Sequence, residues 1–123
     1  AASDVYKRQA SYRGRLGEDK AARYLQRQGW KIIVRNWHCH FGEIDIIACK
    51  GQELGFFEVK WRTSEAYGGV LYSITASKRE KLSKSVESYL QQHPSSLAVR
   101  VDAILLQGQD GLSIHHIPHI LQA

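Results

Sequence analysis

Charged side chains interrupt two neighbouring apolar runs of this chain. The runs read Gly42-Glu43-Ile44-Asp45-Ile46-Ile47-Ala48 and Phe56-Phe57-Glu58-Val59-Lys60. An unpaired ion is costly to bury, so apolar runs normally exclude charge. Two carboxylates, with a lysine two residues after the second, are groups that bind a divalent cation and act on a phosphate ester. The pattern therefore favours a metal site with a lysine beside it.

The spacing of these residues predicts which of them share a face. Side chains two residues apart on a strand point to the same side, so Glu43 pairs with Asp45 and Glu58 with Lys60. If the two strands pair across the turn at 50–53, Asp45 and Glu58 converge. Mg²⁺ takes carboxylate, water and phosphate oxygens, and a nearby lysine can orient or deprotonate the attacking water. These are the parts needed to hydrolyse a phosphodiester.

The elements that must carry these residues can be predicted from apolar periodicity and turn residues. A helix is predicted over residues 12–29 with Gly29 as its left-handed cap, and a second over 75–92, ending before Pro94. Strands are predicted over 30–37, 43–49, 54–61, 97–106 and 112–117. The order α-β-β-β-α-β-β indicates an α/β protein with a sheet flanked by helices. The short breaks between the first three strands imply antiparallel neighbours.

Each predicted helix places one charged residue on its inward face. Glu18 falls in line with Gly14, Ala21, Ala22 and Leu25, so it either joins the site or is a carboxylate favoured near the helix N-terminus. Asp19 faces elsewhere and is predicted to pair with Arg23.

On the second helix, Lys78 shares a face with Leu82, Val86 and Tyr89. It either reaches a phosphate or extends its charge out of the core.

The net charge and the distribution of basic residues indicate which class of molecule the protein binds. The 123 residues carry a net charge of +5, and nine of the seventeen Lys and Arg residues lie in the first 40 positions: Lys7, Arg8, Arg13, Arg15, Lys20, Arg23, Arg27, Lys31 and Arg35. This excess favours a polyanion such as nucleic acid, or is a solvated basic surface. No apolar run approaches the ~20 residues of a membrane span.

The chain shows no secretion leader, which favours a cytoplasmic protein. Cys39 and Cys49 form no CxxC pair; reduced thiols are expected, with a disulfide as the alternative. His38-Cys39-His40 with Cys49 fits no standard zinc spacing. The lack of methionine, even at position 1, suggests a fragment or a non-native start. Residues 1–11 are accordingly expected to be disordered or non-native, and 12–123 a single domain.

A longer series of motifs resembles a known family. Asp45, twelve intervening residues and Glu58-Val59-Lys60 resemble the D…(D/E)xK signature of the restriction-endonuclease-like nuclease superfamily. The wider series resembles the bacterial YraN-like family, small proteins expected to be endonucleases, over about residues 12–107. It comprises Gly17-Glu18, Tyr24-Leu25, Gly29-Trp30, Arg35-Asn36, the 42–48 run, Phe57-Glu58-Val59-Lys60 with Arg62, Lys78 and Arg100-Val101-Asp102.

The resemblance implies a restriction-endonuclease-like mixed sheet and a role for each matching residue. Asp45 and Glu58 would hold Mg²⁺ or Mn²⁺, and Lys60 would be the catalytic lysine. Glu18 matches the helix glutamate that archaeal Holliday-junction resolvases use near the metal. Ile44 stands where the superfamily motif has proline. Further predictions are that Arg35, Arg62 and Lys78 contact DNA phosphates, whereas Glu43 either joins the site or turns outward, and Asp102 beside Arg100 is structural.

The expected activity is metal-dependent hydrolysis of DNA phosphodiesters. Nothing resembles a sequence-reading module, so selectivity for junctions or branched DNA is expected, and cutting two strands would suit a homodimer. The alternative is a catalytically silent nuclease-fold module that binds nucleic acid or a protein partner. A weaker third interpretation is an RNA-directed nuclease.

Overall fold

The computed structural model describes the backbone of residues 2–63 and 73–121, with side chains from residue 14 onward. The elements are α1 (Ala2–Arg27), β1 (Lys31–Cys39), β2 (Gly42–Lys50), β3 (Glu53–Arg62), α2 (Ala76–Gln92), β4 (Ala98–Gln107) and β5 (Ser113–Ile117). The predicted fold class and the order α-β-β-β-α-β-β are confirmed. The glycine-containing segment Tyr67-Gly68-Gly69, which precedes the second helix in the sequence, lies outside the described residues.

The five strands form one mixed sheet in the order β1-β2-β3-β4-β5. Short turns make β1–β2 and β2–β3 antiparallel pairs, as predicted, and β5 also runs antiparallel to β4. β3 and β4 are parallel. A parallel pair needs a long crossover, and α2 lies on that connection. The crossover therefore brings α2 beside the end of β3 that carries Glu58 and Lys60.

Each face of the sheet is covered by one helix. On one face Ala21, Ala22 and Leu25 of α1 pack with Trp30, Ile46, Ala48, Phe57 and Ile104. On the other, Leu82, Val86 and Tyr89 of α2 pack with Ile44, Ile47, Leu54, Phe56, Val101, Ala103 and Ile120. The apolar stripes predicted for the two helices are thus the buried ones. Burial of both faces explains why these strands are nearly continuous apolar runs.

The start of α1 differs from the prediction. The helix begins at Ala2 rather than near residue 12, and it ends at Arg27, with Gly29 in the left-handed region at φ 97°. Residues 2–11 are rich in alanine, lysine, arginine and glutamine, which favour helix, but they lack the apolar period on which the prediction depended. The division of the chain at residue 11 stays a prediction.

The two cysteines lie at opposite ends of the β1–β2 ladder. Cys39 pairs with Gly42, whereas Cys49 pairs with Lys31. Both are therefore thiols rather than disulfide partners, and Cys49 cannot complete a zinc site at residues 38–40. In the described ranges 2–63 and 73–121, neither helix is long and apolar enough to cross a bilayer.

Gly55 gives a stability prediction in the α1 core. A Cβ atom there would lie 2.6 Å from Cε2 of Phe57 and 2.9 Å from Cζ3 of Trp30. Both are ring atoms in the interior, so we expect Gly55→Ala to lower the free energy of unfolding by about 2 kcal/mol, as overpacking does. Urea denaturation measures it. Gly14→Ala is the contrasting variant: its Cβ meets nothing within 4 Å and it lies inside α1, so it should raise the free energy of unfolding by about 0.5 to 1 kcal/mol. An unchanged Gly55→Ala would contradict the expectation.

Candidate active site

A cleft opens where the sheet splits. The β2–β3 ladder ends at Ile46 and Phe57, although β3 continues beside β4 to Arg62. The cleft measures about 590 Å³ and is bounded by α1, the β1–β2 turn, β2, β3 and α2. Its charged lining residues are Glu18, Glu43, Asp45, Glu58, Lys60, Lys78 and Lys81. Local sheet geometry thus brings residues from four elements around one opening.

Asp45 lies at the point where the ladder ends. Its Oδ2 accepts a hydrogen bond from the backbone N–H of Val59 at 2.8 Å. Burial raises the pKa of Asp45 to about 6, and the charges of Glu18, Glu43 and Glu58 add to that rise, while the Val59 hydrogen bond opposes it. A desolvated carboxylate facing other carboxylates is in an environment that a bound cation would relieve.

Glu58 is buried on the face of β3 that α2 covers. Its Oε1 forms an ion pair with Nζ of Lys78 and lies 3.9 Å from Nζ of Lys60. Thr75 caps α2 by accepting a hydrogen bond from the backbone N–H of Lys78, so Lys78 belongs to the first turn of the helix. The predicted proximity of Glu58 and Lys60 is present, but Lys78 is the closer partner of Glu58.

The two lysines have different proton affinities. The neighbouring Lys78 and burial lower the pKa of Lys60, against the attraction of Glu58 and Asp45. For Lys78, burial alone would lower the pKa, but contact with Glu58 outweighs it and the pKa is raised. Lys60 is therefore the lysine that more readily becomes neutral. A lysine must be neutral before it can accept a proton from the attacking water.

Glu18 reaches the same cleft from α1. Its side chain is 15% exposed, and Nη2 of Arg35 lies 3.8 Å from its Oε2. The main partner of Arg35 is Asp19, whose Oδ1 accepts a 2.7 Å hydrogen bond from Nη2. The expected pair between Asp19 and Arg23 is thus replaced, since the tertiary fold brings Arg35 of β1 against α1. Arg35, predicted to contact DNA, is engaged with two acids of α1.

Other predicted residues lie around the opening. Glu43 is half-exposed at the rim, with Oε2 3.6 Å from Nδ1 of His38. Arg62 is exposed at the end of β3.

Four lining residues were not singled out from the sequence: Phe41, Trp61, Lys81 and Ser85. Lys81 and Ser85 follow Lys78 by three and seven positions, a helical spacing that could have identified them.

The chemistry of the acidic side chains in the cleft fits a hard cation, whereas their spacing in this structure does not enclose one. Asp45, Glu58 and Glu18 offer only carboxylate oxygens, and Mg²⁺ binds one or two carboxylates together with water and substrate phosphate. In the part of the chain that the structure describes, no three His, Cys, Asp or Glu side chains are grouped closely enough to enclose a metal. Glu58 faces Lys78, and Glu18 faces Arg35. Metal binding would therefore require Glu58 to exchange a lysine for the cation.

Comparison with known proteins gives the family of the chain. The profile of the uncharacterised protein family UPF0102, the YraN family, matches residues 17–106. The chain belongs to this family. It is 49% identical over 96 residues to a UPF0102 protein of Neisseria meningitidis serogroup C, covering 77% of this chain and 84% of the relative. The predicted family is thus confirmed.

More distant relatives match in the same way. A UPF0102 protein of Methylobacillus flagellatus is 42% identical over 111 residues, which cover 88% of this chain and 97% of the relative. A UPF0102 protein of Mycolicibacterium vanbaalenii is 40% identical over 95 residues, or 76% of this chain and 78% of the relative. None of these names states an activity, so the activity has to be argued from the cleft.

Proposed function

We propose that the protein is a Mg²⁺- or Mn²⁺-dependent endonuclease that hydrolyses DNA phosphodiesters. The observation that carries this proposal is the convergence of Asp45, Glu58 and Glu18 with Lys60 in one open cleft. The carboxylate of Asp45 is desolvated beside Glu18, Glu43 and Glu58, and its pKa stays raised although Lys60 and Lys78 attract it. Groups with pKa values perturbed in this way are typical of functional sites.

Each residue has a role in this proposal. Asp45, Glu58 and Glu18 would hold the metal ion, which when bound would supply polarisation of the phosphate and offset the repulsion between the acids. Lys60, with its lowered pKa, orients or deprotonates the attacking water. With a cation bound to Glu58, Lys78 would be free to turn its charge to the phosphate instead of to Glu58. A charge aimed at the developing negative oxygen is the kind of contact that accelerates such reactions.

The substrate proposed for the cleft is branched DNA. The net charge of +5 favours a polyanion, and Arg62 at the end of β3 is suited to the phosphate backbone beyond the cleft. Cutting both strands of a junction would require two active sites, so we propose a homodimer, which sedimentation would detect.

A DNA substrate agrees with the expected cytoplasmic location.

One observation favours a second candidate, a nuclease-fold module that binds nucleic acid without cutting it. Lys78 already neutralises Glu58, and Arg35 lies close to Glu18. If these pairs persist with DNA bound, the cleft presents fixed charge to a ligand but holds no metal. The two candidates differ in cleavage, not in binding.

The test compares Lys60→Ala with Lys31→Ala, an exposed lysine at the opposite end of the sheet. In Mg²⁺ or Mn²⁺ the wild type should cut branched DNA, and Lys60→Ala should cut about a hundredfold more slowly, the lower end of the usual contribution of a positioned general base. Lys31→Ala should match the wild type, and a chelator should stop all cleavage. No cleavage by any protein, with salt-sensitive DNA binding retained, would support the silent module. Parallel RNA substrates test the third interpretation.

A further inference from the structure

Phe41 is an exposed aromatic residue at the tip of the β1–β2 turn. Its side chain is 41% exposed, and it lies between Cys39, the last residue of β1, and Gly42, the first of β2. It lines the cleft that contains Asp45, and it also lines a neighbouring hollow of about 360 Å³. The phenyl ring therefore forms the ridge between these two openings.

Positive charge runs along α2 past this ridge. Lys78 lines the cleft, Lys81 lines both openings, and Lys84 lines the hollow, so the three lysines follow the helix at three-residue steps. Nζ of Lys84 lies 5.7 Å from the centroid of the Phe41 ring, and it also pairs with Glu80 at 3.1 Å. A polyanion that crosses from cleft to hollow would meet these cations and pass over the ring.

Packing does not account for the exposure of this ring. The His40 ring meets it edge-on at 5.3 Å, but Phe41 belongs to neither core cluster. The other large apolar residues found exposed in the described part of the chain are Ile33, Val99 and Leu112. None of these lines the cleft or the hollow, and none is aromatic. Phe41 thus combines a flat ring, an exposed side chain and a position beside the acidic residues of the cleft.

We propose that Phe41 is a stacking platform for an unpaired base of branched DNA, a role that rests on the proposed endonuclease function. Proteins that bind single-stranded DNA combine a positive track for the backbone with aromatic rings on which bases stack. In an intact duplex the bases are already stacked on each other, so the ring has no partner there. A base next to a junction or a flap is available, and its flanking phosphate would then enter the cleft. The ridge thereby selects DNA by its structure without reading its sequence.

The experiment measures binding separately from cleavage. Fluorescence anisotropy in EDTA compares a continuous duplex with the same duplex carrying a single-stranded flap, in which 2-aminopurine replaces the base at the branch. Stacking of one base on one aromatic ring is worth about tenfold or more in affinity. Phe41→Ala should therefore bind the flap DNA about tenfold more weakly, with the duplex affinity changed less than twofold. Wild-type binding should quench 2-aminopurine, and Phe41→Ala should not quench it.

Two further variants keep the result specific. Phe41→Trp retains a stacking surface and should retain flap preference and quenching. Ile33→Ala removes an equally exposed apolar side chain of β1 outside the cleft and should change nothing. Equal losses on both DNAs, no loss on either, or no flap preference in the wild type would overturn the proposal. If Phe41→Ala loses affinity for flap DNA only, but no protein cleaves DNA with metal, base stacking stands and the endonuclease proposal fails. If the protein cleaves DNA with metal, but Phe41→Ala keeps the flap preference, the endonuclease proposal stands and base stacking fails.

Discussion

Replacing Asp45 with asparagine should stabilise the metal-free protein by about 2 kcal/mol at mildly alkaline pH and abolish its response to Mg²⁺ or Mn²⁺. The carboxylate is held at a pKa of about 6 by burial and by Glu18, Glu43 and Glu58. Asparagine removes the buried charge, keeps a similar shape and still offers an oxygen to the N–H of Val59. It cannot supply the anionic oxygen that binds a hard cation.

The pH dependence of this effect has a definite sign. The carboxyl group of Asp45 has a pKa of about 6 in the folded protein, against about 3.9 in an unfolded chain. The folded state binds the proton more tightly, so this group favours folding below about pH 4 and loses that contribution as the pH rises through about 6. The stabilisation of Asp45→Asn relative to the wild type should therefore disappear in acid. The metal response of the wild type should also weaken below about pH 6, since protons compete for the same oxygens.

Urea denaturation in EDTA and in Mn²⁺, at acid and alkaline pH, measures both effects. A metal that binds only the folded state raises the free energy of unfolding by about 2.7 kcal/mol at a hundred times its Kd. Glu87→Gln, an acid-to-amide change at an exposed site on α2, should leave stability and metal response unchanged. A less stable Asp45→Asn at alkaline pH would contradict the electrostatic interpretation, and a retained metal shift would contradict the ligand assignment.

Asp102 should show the opposite behaviour, with Asp102→Ala lowering the free energy of unfolding by about 3 to 5 kcal/mol. The side chain is fully buried. Its Oδ2 accepts hydrogen bonds from Nε of Arg100 at 3.0 Å and Nε2 of His116 at 2.6 Å, and its Oδ1 accepts one from the backbone N–H of His119 at 3.0 Å. The Nη2 of Arg100 also lies 2.8 Å from Oδ2. Arg100 also pairs with Glu53 at 3.1 Å. Removing the carboxylate leaves several donors without their acceptor.

The pH dependence again identifies the cause. Burial alone would raise the pKa of Asp102, but the hydrogen bonds from His116, His119 and Arg100 outweigh it and hold the pKa below its usual range. The stabilisation is therefore present above about pH 4 and is lost as the pH falls through the lower folded pKa. Urea denaturation should show the difference between wild type and Asp102→Ala shrinking in acid. Glu87→Ala, an exposed acid on α2, is the control, and a loss under about 1 kcal/mol at neutral pH for Asp102→Ala would refute the network.

Asp45, which is partly buried, and Asp102, which is fully buried, illustrate how two aspartates in one sheet can serve different ends. Asp102 has an arginine, a histidine and a backbone donor as partners, so its charge stabilises the fold. Asp45 has one backbone donor, three acidic neighbours and attraction to Lys60 and Lys78, and because its pKa is raised on balance, its charge costs stability. A site that is unfavourable until a cation arrives is typical of function rather than of packing.

The elements and the central residues could be predicted from the sequence because they follow from local periodicity. The two-residue spacing places Glu58 and Lys60 on one face, and the helical spacing places Glu18 with Ala21 and Leu25. Short turns require antiparallel neighbours, so the approach of Asp45 to Glu58 could also be inferred. The family could be inferred from the order of short motifs between Gly17 and Asp102.

Which side chains contact each other could not be predicted from the sequence, because these contacts join residues from elements that are distant in the chain. Arg35 lies against Asp19 rather than projecting toward solvent, since β1 packs beside α1. The parallel crossover of α2 brings Lys78 to Glu58, and the turn before β2 places Phe41 at the rim of the cleft.

The sequence by itself thus determined the fold class, the family and the set of charges that gather in the cleft, since strand and helix periods decide which face a residue occupies. Only the tertiary structure decided which charge is matched and which is not. Burial and the distances between elements determine how well the charges of Asp45, Glu58 and Asp102 are compensated. Neither burial nor these distances can be read from a local sequence pattern.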